Sequence, residues 1–166
     1  GAFASPRVKA GKYKAVITKG KDIFEHVFEV AYDPKSTLSK EDIELKQQSV
    51  MKLYNLSEEL AYIIYKLDTV VGICKKTKTK QALTSLKKTL VVTTGDNYVG
   101  SAEPQLREKV AELYSKIVSS YDKPSAAELD YLAVLLNRFD SSKLEFEKLL
   151  KKARIKKVEF KSFEDF

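Results

Sequence analysis

Residues 39–76 read SKEDIELKQQSVMKLYNLSEELAYIIYKLDTVVGICKK. Within them Leu53, Leu56, Leu60, Ile63, Leu67, Val70 and Cys74 recur at alternating spacings of three and four. That spacing is one face of a 3.6-residue helix. Val50, Ile64 and Val71 widen the stripe beyond the two-position seam of a coiled coil, so the helix is expected to face a core. Ser39 ahead of Lys-Glu-Asp is close to a capping box and marks the start. A helix running from there to about Lys76 cannot bury so broad a stripe alone, and the chain must supply partner helices.

The partners follow in order. After the polar connection of residues 75–80, KKTKTK, a shorter helix over about 80–92 carries Leu83, Leu86 and Leu90. Residues 93–100, TTGDNYVG, form an irregular loop. A third helix is expected over about 101–121, with Pro104 in its first turn and Leu106, Val110, Leu113 and Ile117 on its seam. Asp122-Lys123-Pro124 ends it. Ser125-Ala-Ala-Glu128 is a full capping box, opening a fourth helix with Leu129, Leu132, Leu136 and Phe139. It continues through Phe146 and Leu150, with a bend expected at residues 140–142. Ile155, Val158 and Phe160 mark a terminal extended segment. Four striped helices on short connections imply an antiparallel bundle.

Upstream, the period changes from 3.6 to two. Residues 12–18, KYKAVIT, place Tyr13, Ala15 and Ile17 on one side, and residues 23–32 place Phe24, His26, Phe28, Val30 and Tyr32 on one side with Glu25 and Glu29 opposite. Lys19-Gly20-Lys21-Asp22 is the turn between them. The pattern predicts a hairpin with one half-buried face. A lone two-stranded hairpin is marginal in water. It must pack on the helices, pair with another copy, or close a larger sheet. The chain therefore divides into residues 1–34, a hairpin segment read as part of a truncated β-sandwich; residues 35–152, the bundle; and residues 153–166, an extended tail. The fold class is mainly α, a four-helix bundle preceded by a β-hairpin that would end an immunoglobulin-like sheet. No run of residues has the length and apolarity of a membrane span.

Net charge is +7, and its distribution is uneven. Lys75, Lys76, Lys78, Lys80, Lys87 and Lys88 have no acid among them, and a second basic stretch, residues 143–161, includes Lys151, Lys152, Arg154, Lys156 and Lys157. These two stretches are the candidate surface for an anionic partner. Only Arg7, Arg107, Arg138 and Arg154 are arginines. Bidentate recognition of phosphates and bases favours arginine, so the lysine-rich balance speaks for a solvated face and against nucleic acid.

The chemistry-bearing residues are sparse. His26 is the only histidine and Cys74 the only cysteine. His26 lies mid-strand with no nucleophile or orienting partner at a recognisable spacing. Cys74 belongs to the apolar seam, where it serves as a small hydrophobe. No cofactor and no metal site is expected from such a set. Asp96, Asn97 and Tyr98 form a candidate loop site, although a calcium loop needs further oxygens at fixed intervals. An enzyme in its own right is the weakest of the readings.

The segment AGKYKAVITKGKDIFEHVFEVAYDP resembles the closing hairpin that follows the β-propeller in exported, sortilin-like BNR-repeat proteins of glycosyl-hydrolase type. The matching residues are Gly11, Tyr13, Val16, Phe28, Val30, Asp33 and Pro34. The long helix, the loop before Ser101-Ala-Glu-Pro104 and the final helices follow the same C-terminal layout. The chain departs from the pattern at Ala10, where that family tends to have proline, and at His26, where it tends to have glutamine. The resemblance implies a non-catalytic C-terminal packing or interaction module of an exported (periplasmic or extracellular) protein. Its propeller and any catalytic residues would lie upstream. The implied partner is that β-propeller domain or another protein, with a homodimer through the hairpin edge as a further arrangement. The alternative is an autonomous basic bundle that binds an anionic partner, nucleic acid or acidic protein.

Overall fold

The computed structural model describes residues 5–92, 102–154 and 158–165. Two strands, β1 (Gly11–Lys19) and β2 (Asp22–Val30), are followed by four helices: α1 (Lys40–Ile73), α2 (Thr77–Leu90), α3 (Leu106–Ser119) and α4 (Ala126–Ala153). This is the mainly α chain with an N-terminal hairpin that the periodicity implies. Asp96, Asn97 and Tyr98, together with Lys156 and Lys157, lie outside the described residues.

The stripe on α1 organises the bundle. Leu53, Leu60, Leu67 and Val70 are fully buried, and Leu56, Ile63 and Cys74 nearly so. They join Leu83, Leu86 and Leu90 of α2, Leu106, Val110, Leu113 and Ile117 of α3, and Leu132, Leu135, Phe139, Phe146 and Leu149 of α4 in one core. Each such side chain removed from water is worth about 1.5–3 kcal/mol. Contacts between helices fix their directions. Lys87 of α2 meets Asp68 of α1 at 2.5 Å, and Lys46 of α1 donates to the Ser120 carbonyl at the end of α3. Both α2 and α3 therefore run opposite to α1, one beside its C-terminal half and the other beside its N-terminal half. At their junction Glu108 Oε2 accepts from the backbone N–H groups of Val92 (3.3 Å) and Gln105 (3.1 Å). Lys123 pairs with Asp42 at 2.9 Å ahead of α4, Lys143 with Glu59 at 3.5 Å midway, and Lys76 Nζ reaches the Lys152 carbonyl at 2.8 Å near its end. Helix α4 thus runs alongside α1 in the same direction. The four helices make three legs, with α2 and α3 sharing one of them.

Capping accounts for most of the boundaries. The Ser39 hydroxyl accepts from the Asp42 N–H at 3.1 Å and starts α1. Helix α4 opens on a complete capping box between Ser125 and Glu128. Helix α3 begins at Leu106, the first residue of its apolar seam, and not at about residue 101, because Gln105 and Glu108 form a capping box there. Pro104 accordingly precedes the helix instead of occupying its first turn. Residues 140–142 lie within a continuous α4: the Ser141 and Ser142 hydroxyls bond back to the Asn137 and Arg138 carbonyls (2.9 and 3.0 Å), which keeps these polar residues compatible with the helix. Helix α4 ends where Arg154 turns left-handed, φ 51°, a conformation that glycine adopts at lower cost.

The hairpin pairs antiparallel in the register Tyr13↔Phe28, Ala15↔His26 and Ile17↔Phe24 on one face, and Lys12↔Glu29, Lys14↔Val27, Val16↔Glu25 and Thr18↔Ile23 on the other. Gly20 at φ 62° makes the turn. No Cα of either strand comes within 8 Å of a helix. The half-buried face expected from the alternation is therefore not covered by the helices: Ile17 is 64% exposed, Phe24 58% and Phe28 43%. Of the three ways to satisfy the hairpin, packing on this chain's own helices is not the one found among the described residues.

Two predictions follow from these contacts. Deleting residues 1–33 is expected to leave a helical core that unfolds cooperatively by circular dichroism, with little loss of Tm; a broad, non-cooperative melt would contradict it. The second concerns Glu128, whose carboxyl is held below the usual carboxylate range, first by the Ser125 backbone N–H and then by the Ser125 hydroxyl and Lys116. A carboxyl lowered in the folded state contributes stability that is complete above its unfolded pKa of about 4.3 and is lost as pH falls through the folded value. Glu128→Gln should cost about 0.5 kcal/mol at pH 7, and its Tm should fall less than that of the parent between about pH 5 and pH 3.

Candidate functional site

Three surfaces remain once the core is assigned: the hairpin, one basic end of the bundle, and a cleft between them on the α1 side. The hairpin is the largest departure from a sealed fold. On one face Tyr13 stacks on Phe28, ring centroids 6.0 Å apart, and Ile17 and Phe24 continue the row toward the turn. On the other, Val16, Ile23 and Val27 are exposed beside the Lys14–Glu25 ion pair at 2.9 Å. Both faces thus carry uncovered apolar side chains. In a two-stranded sheet both outer edges also present unpaired backbone N–H and C=O groups. His26 is exposed on the apolar face, and no hydrogen bond or ion pair to it is present among the described residues.

The structure brings together part of the basic surface. Lys75, Lys76 and Lys78 sit at the α1–α2 turn, and Lys151, Lys152 and Arg154 at the end of α4, joined by the Lys76 bond to the Lys152 carbonyl at 2.8 Å. The first turn of α2 has no side-chain cap and no acidic residue, so its free N–H groups add positive potential there. Lys80 lies within the next turn. Lys87 and Lys88 do not join this group. They are in the last turn of α2, roughly 15 Å along its axis, and Lys87 is spent on Asp68.

The cleft has a volume of about 980 Å³ and lies where the hairpin joins the bundle. Its walls come from residues 6–10, the chain after β2, the first turns of α1 and the end of α3. Sequence reading missed it, because the residues that line it belong to four separate segments and share no motif.

The tail supplies a fourth cluster, already occupied. Tyr62 donates to the Lys161 carbonyl at 2.6 Å and meets Phe163 edge-on at 5.3 Å, while Lys66 lies 4.1 Å from the Tyr62 ring and 5.3 Å from that of Phe160. Tyr65 accepts from the Lys161 backbone N–H at 3.4 Å, so the two tyrosines hold the chain's own tail against α1. Cys74 is buried in the core with its sulfur 3.7 Å from the Lys76 carbonyl, in keeping with a packing role. Among the described residues no group of histidine, cysteine and carboxylate side chains is placed to hold a metal ion, and no helix is long and apolar enough to cross a membrane.

No known protein family matches the chain, and no curated protein or solved structure is significantly similar to it.

Backbone amides of residues 11–30, held only by cross-strand bonds in a hairpin that nothing covers, should exchange with solvent orders of magnitude faster than those of residues 53–70. Amide hydrogen exchange followed by NMR tests this. Equal protection in the two segments would mean that the hairpin is covered in solution.

Proposed function

We propose that this chain is a non-catalytic packing and interaction module, in which the helical bundle is a rigid support and the hairpin is the element offered to a β-rich partner. The observation that carries this reading is the hairpin, open on both faces and both edges. An open edge accepts another strand through backbone hydrogen bonds, and alternate side chains then add specificity. Exposed apolar residues on two faces call for a partner that encloses the hairpin. Together with the resemblance of residues 10–34, this supports the β-propeller region of an exported, BNR-repeat protein of glycosyl-hydrolase type as the partner.

The convergence of Lys75, Lys76, Lys78, Lys151, Lys152 and Arg154 favours a second reading, an anionic partner at the opposite end of α1. Calorimetry separates the two. The full chain is titrated with an isolated BNR-type β-propeller domain and, separately, with a DNA duplex. On the leading reading the propeller binds in the micromolar range or tighter, the Ile17→Lys/Phe24→Lys variant binds at least about tenfold more weakly, and residues 11–30 gain amide protection. Absence of propeller binding, or concentration-dependent self-association with a protected hairpin, would overturn it. Duplex binding that weakens steeply with salt and ignores the hairpin variant would support the second reading instead.

A further inference from the structure

The cleft at the hairpin–bundle junction contains an unusual polar set. Lys46, in the second turn of α1, is half-buried. Its ammonium donates to the Ser120 carbonyl, and Arg7 lies close enough to act on it electrostatically. Among the described residues neither cation has a carboxylate at ion-pair distance: the nearby Asp42 is taken by Lys123 at 2.9 Å, and Asp122 acts on Lys46 only from a distance. Burial lowers the pKa of Lys46, Arg7 lowers it further, and Asp122 opposes them. Arg7, Lys35 and Lys46 line the cleft against one carboxylate, Asp33, whose Oδ1 already accepts from the Lys35 backbone N–H at 2.9 Å, so the wall is net positive.

Next to Lys46, Gln47 donates weakly to the Val8 carbonyl at 3.4 Å, and its Oε1 is buried with no hydrogen-bond partner. A buried acceptor in that state favours any occupant that brings an N–H or O–H. The rest of the wall is mostly apolar, with Val50 and Val118 at the bundle side and Tyr121, 96% exposed, beside the mouth. At about 980 Å³ the cleft is at the upper end of the range for ligand sites.

From Lys46, Arg7 and Gln47 around this cleft we infer a binding site for an extended peptide segment that presents a carboxylate side chain. The carboxylate lies between the Lys46 ammonium and the Arg7 guanidinium, where a charge-assisted bond replaces lost hydration. A backbone N–H of the same segment donates to Gln47 Oε1, and flanking apolar side chains lie against Val50 and Val118. The inference goes beyond the hairpin reading and stands without it, since none of these residues belongs to either strand.

The test is an NMR titration of the ¹⁵N-labelled full chain with acetyl-leucyl-glutamyl-leucinamide and with its glutamine counterpart, both lacking terminal charges. The acidic peptide should shift the side-chain amide of Gln47 and the backbone amides of Val8 and Tyr121, with affinity about tenfold above that of the neutral one. Arg7→Gln should remove most of that preference and leave the circular dichroism unchanged, because Arg7 lies in an irregular segment outside the bundle. Lys46→Gln should remove the rest, and Arg7→Gln keeps the test valid if loss of the Ser120 bond unfolds that variant. Equal binding of the two peptides, an unchanged preference in Arg7→Gln, or shifts confined to residues 75–80 and 151–154 would overturn the site.

Discussion

Burial of one continuous stripe on a 34-residue helix is the constraint from which the rest of the molecule follows. At 1.5 Å per residue α1 is about 50 Å long, and its apolar face is too long for any one of the shorter helices to cover. The chain solves this by placing α2 and α3 end to end along it and sending α4 back beside it. Ion pairs at the surface, such as Lys143–Glu59 at 3.5 Å, contribute little individually. They act as registration marks on a structure held by apolar burial.

Much of this was legible in the residues. The 3–4 spacing on α1 survives in the structure as a row of buried side chains, and the Ser125–Glu128 capping box opens α4 where it is written. The two-residue alternation of residues 12–32 became a hairpin with the expected turn and with Tyr13, Ile17, Phe24 and Phe28 on one face. These features depend on neighbours close in sequence, for which periodicity and capping are direct physical signals. The start of helix α3 was less legible, since Pro104 reads as a first-turn residue although Gln105 and Glu108 cap the helix after it. The shared leg of α2 and α3 was not legible at all. Nothing local in either helix says that the two lie in line, because that depends on the length of α1.

The uncovered hairpin shows the same limit from the other side. Alternation states that Tyr13, Ile17, Phe24 and Phe28 share a face, yet it cannot say whether this chain owns the surface that covers it. The basic residues were half legible: proximity in sequence grouped Lys75, Lys76 and Lys78 correctly, but it also included Lys87 and Lys88, which helical rise carries away from that end. The cleft around Lys46 and Gln47 lies beyond sequence reading because its walls meet only after the bundle has formed.

The break between α2 and α3 divides the bundle crosswise into two storeys. The upper storey joins α2 to the C-terminal half of α1, and the lower joins α3 to its N-terminal half, while α1 and α4 run through both as uprights. The core nonetheless runs through both storeys without a break, since the buried side chains of all four helices form one cluster. The cleft is built into the lower storey and the basic end into the upper. Strain delivered through the hairpin would reach the storey it adjoins first, and the shared core along α1 and α4 would carry it to the other.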